Sequence, residues 1–165
     1  MKKNSPLDGV KPQVLKVPAY TLRALEAEVR LNQNENPYDF PDDLKEVVFR
    51  RYRERRWSRY PDFVPAMLRS RVAEFAGWEK DGVLVGNGSN ELLQAVLMVL
   101  VKDRTPVTIP SPTFTVYGLI SRILGARVID VPLKPDMSYD VDALIARSAE
   151  AGAKFLIVGT PNNPT

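Results

Sequence analysis

From residue 82 onward the chain alternates short apolar runs with longer amphipathic stretches. Runs of strand length fall at 82–85, 106–109, 127–131 and 154–158, and they are rich in Val, Ile, Leu and Phe. Between them, segments 90–101, 113–124 and 141–151 carry apolar residues three and four apart, the spacing of one helix face. Gly125 and Gly152 stand where the last two of these helices should end, and Asp140 stands where the third should begin. A strand that is apolar nearly throughout must be covered on both sides. The alternation therefore predicts an α/β fold: a largely parallel sheet with helices on both faces. In such sheets ligands bind outside the carboxyl ends of the strands.

Before residue 82 the pattern is different. Two helices are predicted with no strand between them, at 41–57 and 64–77, the second carrying Leu68, Val72 and Phe75 on one face. Residues 1–40 are rich in proline and asparagine, with one short helical pattern at 22–30. They read as an extended arm that packs on something else, ahead of a body spanning 41–165. There is no internal repeat and no low-complexity tract.

The expected strand ends are where the polar clusters lie. "VGNGSNELLQAVLMVLV", residues 85–101, sets two glycines, a serine and an asparagine at the mouth of an apolar helix. The first backbone N–H groups of a helix have no partner within it and carry the positive end of its dipole, and glycine lets a ligand come close to the backbone. A phosphate cradle at Gly88, Ser89 and Asn90 is one reading. A plain strand-to-helix turn capped by Ser89 is the other. After the second strand comes Pro110-Ser111-Pro112-Thr113-Phe114, and after the last Gly159-Thr160-Pro161-Asn162-Asn163-Pro164-Thr165. Together the loops offer a phosphate cradle, an aromatic face and a carboxamide, a set suited to a flat phosphorylated heteroaromatic ligand. Taken singly, Phe114 reads more readily as core than as a stacking platform, and the asparagines as turn formers.

Composition narrows the chemistry. The chain has 165 residues, 44% hydrophobic and 26% charged, enough for about one globular domain. It contains no cysteine and no histidine, which excludes disulfides, thiolate metal sites, Ser-His-Asp triads and the usual zinc ligands. No metal site is expected. The longest apolar run, 92–101, is far short of the ~20 residues that span a bilayer, and the start of the chain leads into no signal-like apolar segment. A cytoplasmic protein that does not engage the membrane is expected. A net charge of +3 is too small to indicate nucleic acid by itself. Locally, "RRYRERRWSRY" at 50–60 interleaves arginines with aromatics, a pattern that nucleic-acid binders share. The preferred reading is a solvated helix end or a subunit contact without nucleic acid, since Asp42 and Asp43 open that helix and the arginines fall where its dipole favours cations.

Five strings, "LNQNENPYDF", "RYPD", "VGNGSNELL", "PSPTFTVY" and "GTPNNPT", occur in this order between about Val17 and Thr165. In order and approximate spacing they resemble the histidinol-phosphate aminotransferases, pyridoxal-phosphate enzymes of fold type I. "PNNPT" is shared by many aminotransferases, whereas "NENPY" followed by "YPD" and "GNGSNE" points to the narrower group. Asn90 departs from the family, which usually has aspartate there; both residues can accept a hydrogen bond or cap.

The resemblance implies pyridoxal 5′-phosphate as cofactor, held through its phosphate by Gly88, Ser89, Asn90 and nearby backbone amides. It implies that Phe114 stacks on the pyridine ring, that Asn163 hydrogen-bonds the phenolic oxygen, and that Tyr60 reaches the cofactor phosphate of a neighbouring subunit, so that the protein is a homodimer. Tyr20 and Asn34-Glu35-Asn36 resemble elements on the substrate side. Residues 1–40 then become the arm and a small-domain element, and 41–165 the first, truncated part of the large cofactor-binding domain. The implied reaction is transamination of histidinol phosphate with 2-oxoglutarate in histidine biosynthesis. The Schiff-base lysine, the carboxylate facing the pyridine nitrogen and the clamp for the substrate carboxylate are all expected downstream of Thr165. The chain is therefore expected to be an inactive N-terminal fragment with no catalytic residue of its own. A threonine-phosphate decarboxylase or an aromatic aminotransferase would share nearly every string quoted, and a non-catalytic binding or assembly module is an alternative from another class.

Overall fold

The computed structural model describes residues 7–17, 29 and 33–165. The chain divides into two compact units, one of residues 1–19 with 84–165 and one of residues 20–83.

The first unit is an α/β layer structure. A short helix α1 (Pro12–Leu15) packs on α5 (Thr115–Ile123), and α4 (Ser89–Leu100) packs on α5 as well. The sheet has the order β2 (Arg127–Pro132), β1 (Pro106–Ser111), β3 (Phe155–Leu156), with both pairings parallel. Helix α6 (Val141–Ala151) completes the second crossover. The path from β1 to β2 moves one way along the sheet and the path from β2 to β3 moves back across β1. With right-handed crossovers those two helices must lie on opposite faces.

Side-chain contacts agree. In β1 the residues 107–110 are all buried, as a central strand covered on both sides requires. Ile109 faces α5, since a Cβ added to Gly118 would lie 3.2 Å from its side chain. Asp130, paired with Ile109 in the parallel register, meets Arg122 of α5 at 2.9 Å. On the other face the Thr108 hydroxyl accepts from Ser148 of α6 at 2.9 Å, and Ile129, Val131 and Leu144 form the apolar cluster. Tyr139, Ala143 and Ala151 pack against that cluster. The expected helices on both faces are present.

Local signals explain the boundaries. The Asp140 carboxylate accepts the Ala143 N–H at 2.9 Å and so caps α6, while Tyr139, one residue earlier, joins the cluster that contains Leu144. This is the N-cap with its hydrophobic staple. Gly152 ends the helix in the left-handed conformation at φ 64°. The helix expected at 141–151 is therefore reproduced in full.

Three expectations need correction. The run 82–85 is not a strand: residues 80–82 form a 3-10 turn, and Val83 is extended but has no ladder partner among the described residues. Its carbonyl is taken instead by the Arg69 guanidinium at 2.9 Å, so apolar character and extended backbone are present without the neighbour that makes a strand. The run at 154–158 shrinks to Phe155–Leu156 for a related reason, as it pairs on one side only. Ser89 is not an N-cap, since Gly88 holds that place and no side chain caps α4.

The second unit contains α2 (Asp42–Arg53) and α3 (Ala66–Ala76), both shorter than the sequence pattern suggested. Asp42 and Asp43 lie in the first turn of α2 and Arg50, Arg51 and Arg53 in the last, in line with the dipole argument. Arg69 of α3 donates to the carbonyls of Lys80 and Val83 at 2.8 and 2.9 Å, tying the helix to the segment that follows it. The helical pattern at 22–30 lies outside the described residues, except for Val29.

Candidate functional site

Two of the three polar loops are joined at the carboxyl edge of the sheet. β1 runs into Pro112-Thr113-Phe114 and then α5, while β3 runs into residues 159–165. The Thr113 hydroxyl donates to the Asn162 carboxamide oxygen at 2.7 Å. The Asn162 amide in turn donates to the Pro112 carbonyl at 3.1 Å and to the Thr165 hydroxyl at 2.7 Å. One carboxamide thus satisfies both of its ends across two loops about fifty positions apart. It places Asn163 at the same edge as Phe114. Asn163 is exposed, and among the described residues its carboxamide enters no hydrogen bond.

Phe114 is half-buried and meets Tyr117 edge to face, with centroids 5.5 Å apart and planes at 83°. They are three residues apart, and the helix start puts them on one side. Tyr117 also approaches Gly159, where an added Cβ would lie 3.0 Å from its hydroxyl. The Tyr139 hydroxyl donates to the Gly159 carbonyl. Burial, and secondarily the neighbouring Tyr117 phenol, push the Tyr139 phenol above its ordinary value. Tyr139 therefore stays a donor at neutral pH.

The third loop closes on itself. The Glu91 carboxylate, in the first turn of α4, accepts the Asn87 N–H. Gly88 has φ 84° and ψ 168°, a region essentially restricted to glycine, and nothing lies within 4 Å of where a Cβ would sit. Ser89 and Asn90 are exposed in the first turn of α4 and make no side-chain cap. The backbone amides at this helix start are thus open to an anion. No hydrogen bond among the described residues joins this loop to the other two; its link to them is the packing of α4 on α5.

The remaining site residues from the sequence lie in the second unit. Tyr60 is 89% exposed, with its ring stacked on Phe63 at 6.3 Å. Asn34, Glu35 and Asn36 are exposed; Asn34 has φ 55°, and Asn36 accepts the Tyr38 N–H at 3.0 Å. Tyr20 lies outside the described residues. Trp57 donates to the Tyr52 carbonyl at 3.0 Å and packs on its ring, so these two aromatics of the arginine-rich stretch are used internally. Among the described residues there is no cluster of metal-ligand side chains, and no helix is long and apolar enough to cross a membrane.

Sequence reasoning passed over Asn162, Thr113, Tyr117 and Tyr139. Tyr117 could have been found from its spacing to Phe114, and Tyr139 from its place just before the cap of α6. Asn162 had no local signal, since its partners are distant in the chain.

Comparisons with known proteins show the family and the fold. The family model described as aminotransferase class I and II matches residues 26–165. A histidinol-phosphate aminotransferase from Prosthecochloris aestuarii is 39% identical over 155 residues, covering 93% of this chain and 43% of that protein. The chain thus spans less than half the length of this curated relative. Among solved structures, the histidinol-phosphate aminotransferase from Sinorhizobium meliloti in complex with pyridoxal-5′-phosphate superposes with a TM-score of 0.67 at 22% identity, over 73% of this chain and 32% of that one. The alpha-aminoadipate aminotransferase from Thermus thermophilus, complexed with N-(5′-phosphopyridoxyl)-L-leucine, gives 0.64 at 29% identity, over 76% and 33%.

Proposed function

The chain belongs to the class I and II aminotransferases, and from that membership we propose that it forms the cofactor-binding part of an enzyme that moves an amino group between histidinol phosphate and 2-oxoglutarate. The observation that carries the reading is the Asn162 bridge, which ties the loop that contains Asn163 to the loop that contains Phe114 at the carboxyl edge of the sheet. The choice of histidinol phosphate rests on the 39% identity to a curated enzyme of that name.

The residues present fit pyridoxal phosphate. Open amides at the start of α4, beside a glycine with no Cβ to obstruct approach, suit its phosphate. The Phe114 ring, fixed edge-on by Tyr117, offers a flat face to its pyridine. The unengaged carboxamide of Asn163 suits its phenolic oxygen. When bound, the cofactor supplies an electron sink for the carbon that gives up or receives the amino group. This chain's residues hold, orient and stack; the covalent lysine and the proton-moving group are assigned to the part of its longer relatives that this chain does not span. Tyr60, exposed in the second unit, is assigned to the cofactor phosphate of a second copy in a cytoplasmic homodimer, and Tyr20, Asn34, Glu35 and Asn36 to the substrate side.

The test uses the protein that carries this chain, incubated with pyridoxal phosphate, histidinol phosphate and 2-oxoglutarate, with glutamate formation followed. Glutamate formed with histidinol phosphate and not with aromatic amino acids is the expected result. Release of carbon dioxide from threonine phosphate would move the assignment to the decarboxylase. Residues 1–165 alone should give no turnover above free cofactor, and stoichiometric borohydride trapping on one lysine of this chain would refute the division of labour proposed.

A further inference from the structure

Gly159 is held from two sides of the sheet. On the α6 side the Tyr139 hydroxyl donates to its carbonyl, and Tyr139 itself is anchored by the Ile129, Val131 and Leu144 cluster. On the α5 side Tyr117 stands so close that a methyl group on Gly159 would lie 3.0 Å from its hydroxyl. The same Tyr117 ring abuts Phe114 at 5.5 Å. A single backbone unit is thus gripped by two phenols, and one of them also sets the tilt of the aromatic platform. Four residues later the chain reaches Asn163.

We infer that Tyr139 and Tyr117 form a clamp on Gly159 that fixes the Asn163 carboxamide relative to the Phe114 face, making both tyrosines positioning residues for the ring of the cofactor. The inference deepens the proposed cofactor site and rests on that reading. The physical case lies in what each partner contributes. β3 pairs over only two residues and on one side, so its own ladder restrains the outgoing loop weakly. The Asn162 bridge fixes the middle of the loop to β1. Its beginning is tied to β1 by the Ile157 N–H, which donates to the Thr108 carbonyl at 3.0 Å, and two residues later Gly159 is met by Tyr139, which stands just before α6, whose start is set by the Asp140 cap. Glycine at 159 leaves room for Tyr117, since a methyl group there would stand 3.0 Å from its hydroxyl and one of the two would have to give by a few tenths of an ångström.

The experiment measures binding of pyridoxine 5′-phosphate, which keeps the ring oxygen and the phosphate but has no aldehyde to react with surface lysines, to the chain and to Tyr139→Phe, Asn163→Ala and the double variant. Losing the Tyr139 hydroxyl should weaken binding roughly threefold to tenfold, the size of one hydrogen bond. In the Asn163→Ala background the same change should cost nothing further, because its effect passes through Asn163. Affinity for inorganic phosphate, which reads the α4 cradle alone, should not move. Additive losses in the double variant, or equal loss of inorganic phosphate binding, would overturn the inference. If the wild-type chain does not bind the probe, the cofactor reading fails for this chain, and the clamp is then judged from amide spectra without ligand: Tyr139→Phe must shift Asn163 and Phe114 as well as Gly159, and shifts confined to α6 would refute it. Should Tyr139→Phe lose the spectrum of a folded protein, Tyr117→Phe and Gly159→Ala probe the same clamp from the other side with the same readings.

Discussion

Asp140 illustrates how one side chain sets the geometry of much that follows. Its carboxylate satisfies the Ala143 N–H at 2.9 Å, which starts α6 at Val141 and leaves Tyr139 facing the core. Asp140→Ala should lower stability by about 1 kcal/mol and Asp140→Asn by much less, as urea unfolding would show. Tyr139 carries a pH signature. Its phenol is raised in the folded state, so the folded protein favours the protonated form more than the unfolded chain does. That stabilisation is complete below the unfolded value of about 10 and is lost as pH rises through the higher folded value. Phenolate absorbance should therefore show one tyrosine ionising late, and Tyr139→Phe should remove that late step. A titration identical in the two proteins would contradict the assignment.

At the scale of elements, the layer between β2 and α6 is held by Ile129, Val131 and Leu144, all nearly inaccessible to water. Leu144→Ala removes the one α6 side chain in that cluster and should cost about 2–5 kcal/mol, read by denaturant unfolding. The opposite layer is bridged by the Arg122 and Asp130 pair, whose side chains are 47% and 49% exposed. Solvent screening makes such a pair worth little. Arg122→Gln should consequently change stability by no more than about 1 kcal/mol, and the contrast between the two substitutions tests whether packing or charge holds the helices to the sheet. The helical elements were legible before the structure because each needs only its own periodicity and ends: 141–151 was read residue for residue. The strands were legible only where they had partners, and 82–85 fails for that reason, its Val83 carbonyl being met by Arg69.

Across the whole molecule, the most conspicuous property is how much apolar surface is open. Phe63 and Phe75 are more than nine-tenths exposed, and Val99, Trp57 and Trp78 more than two-thirds. Large apolar side chains left open in both units are candidates for contact with another surface. The purified chain should self-associate, with a sedimentation coefficient that rises with concentration at micromolar levels. A well-folded monomer at high concentration would show that these side chains are tolerated in water. The arginines at 50–59 add a second test, since any nucleic-acid binding they produce should weaken steeply with salt.

Residue order alone was sufficient for the class of fold and for a helix such as 141–151 with its Asp140 and Gly152 ends, because periodicity, turn chemistry and capping act over a few neighbouring positions. It also carried the resemblance through strings such as "VGNGSNELL" and "GTPNNPT". Long-range pairing decided the rest. Asn162, between Pro161 and Asn163, looks like any turn asparagine until Thr113 and Pro112 are brought to it. Tyr139 looks like a core aromatic until Gly159 arrives opposite its hydroxyl. A side chain with a polar end takes its role from whichever group the fold presents to it, and residues twenty or fifty positions away leave no trace in the local pattern.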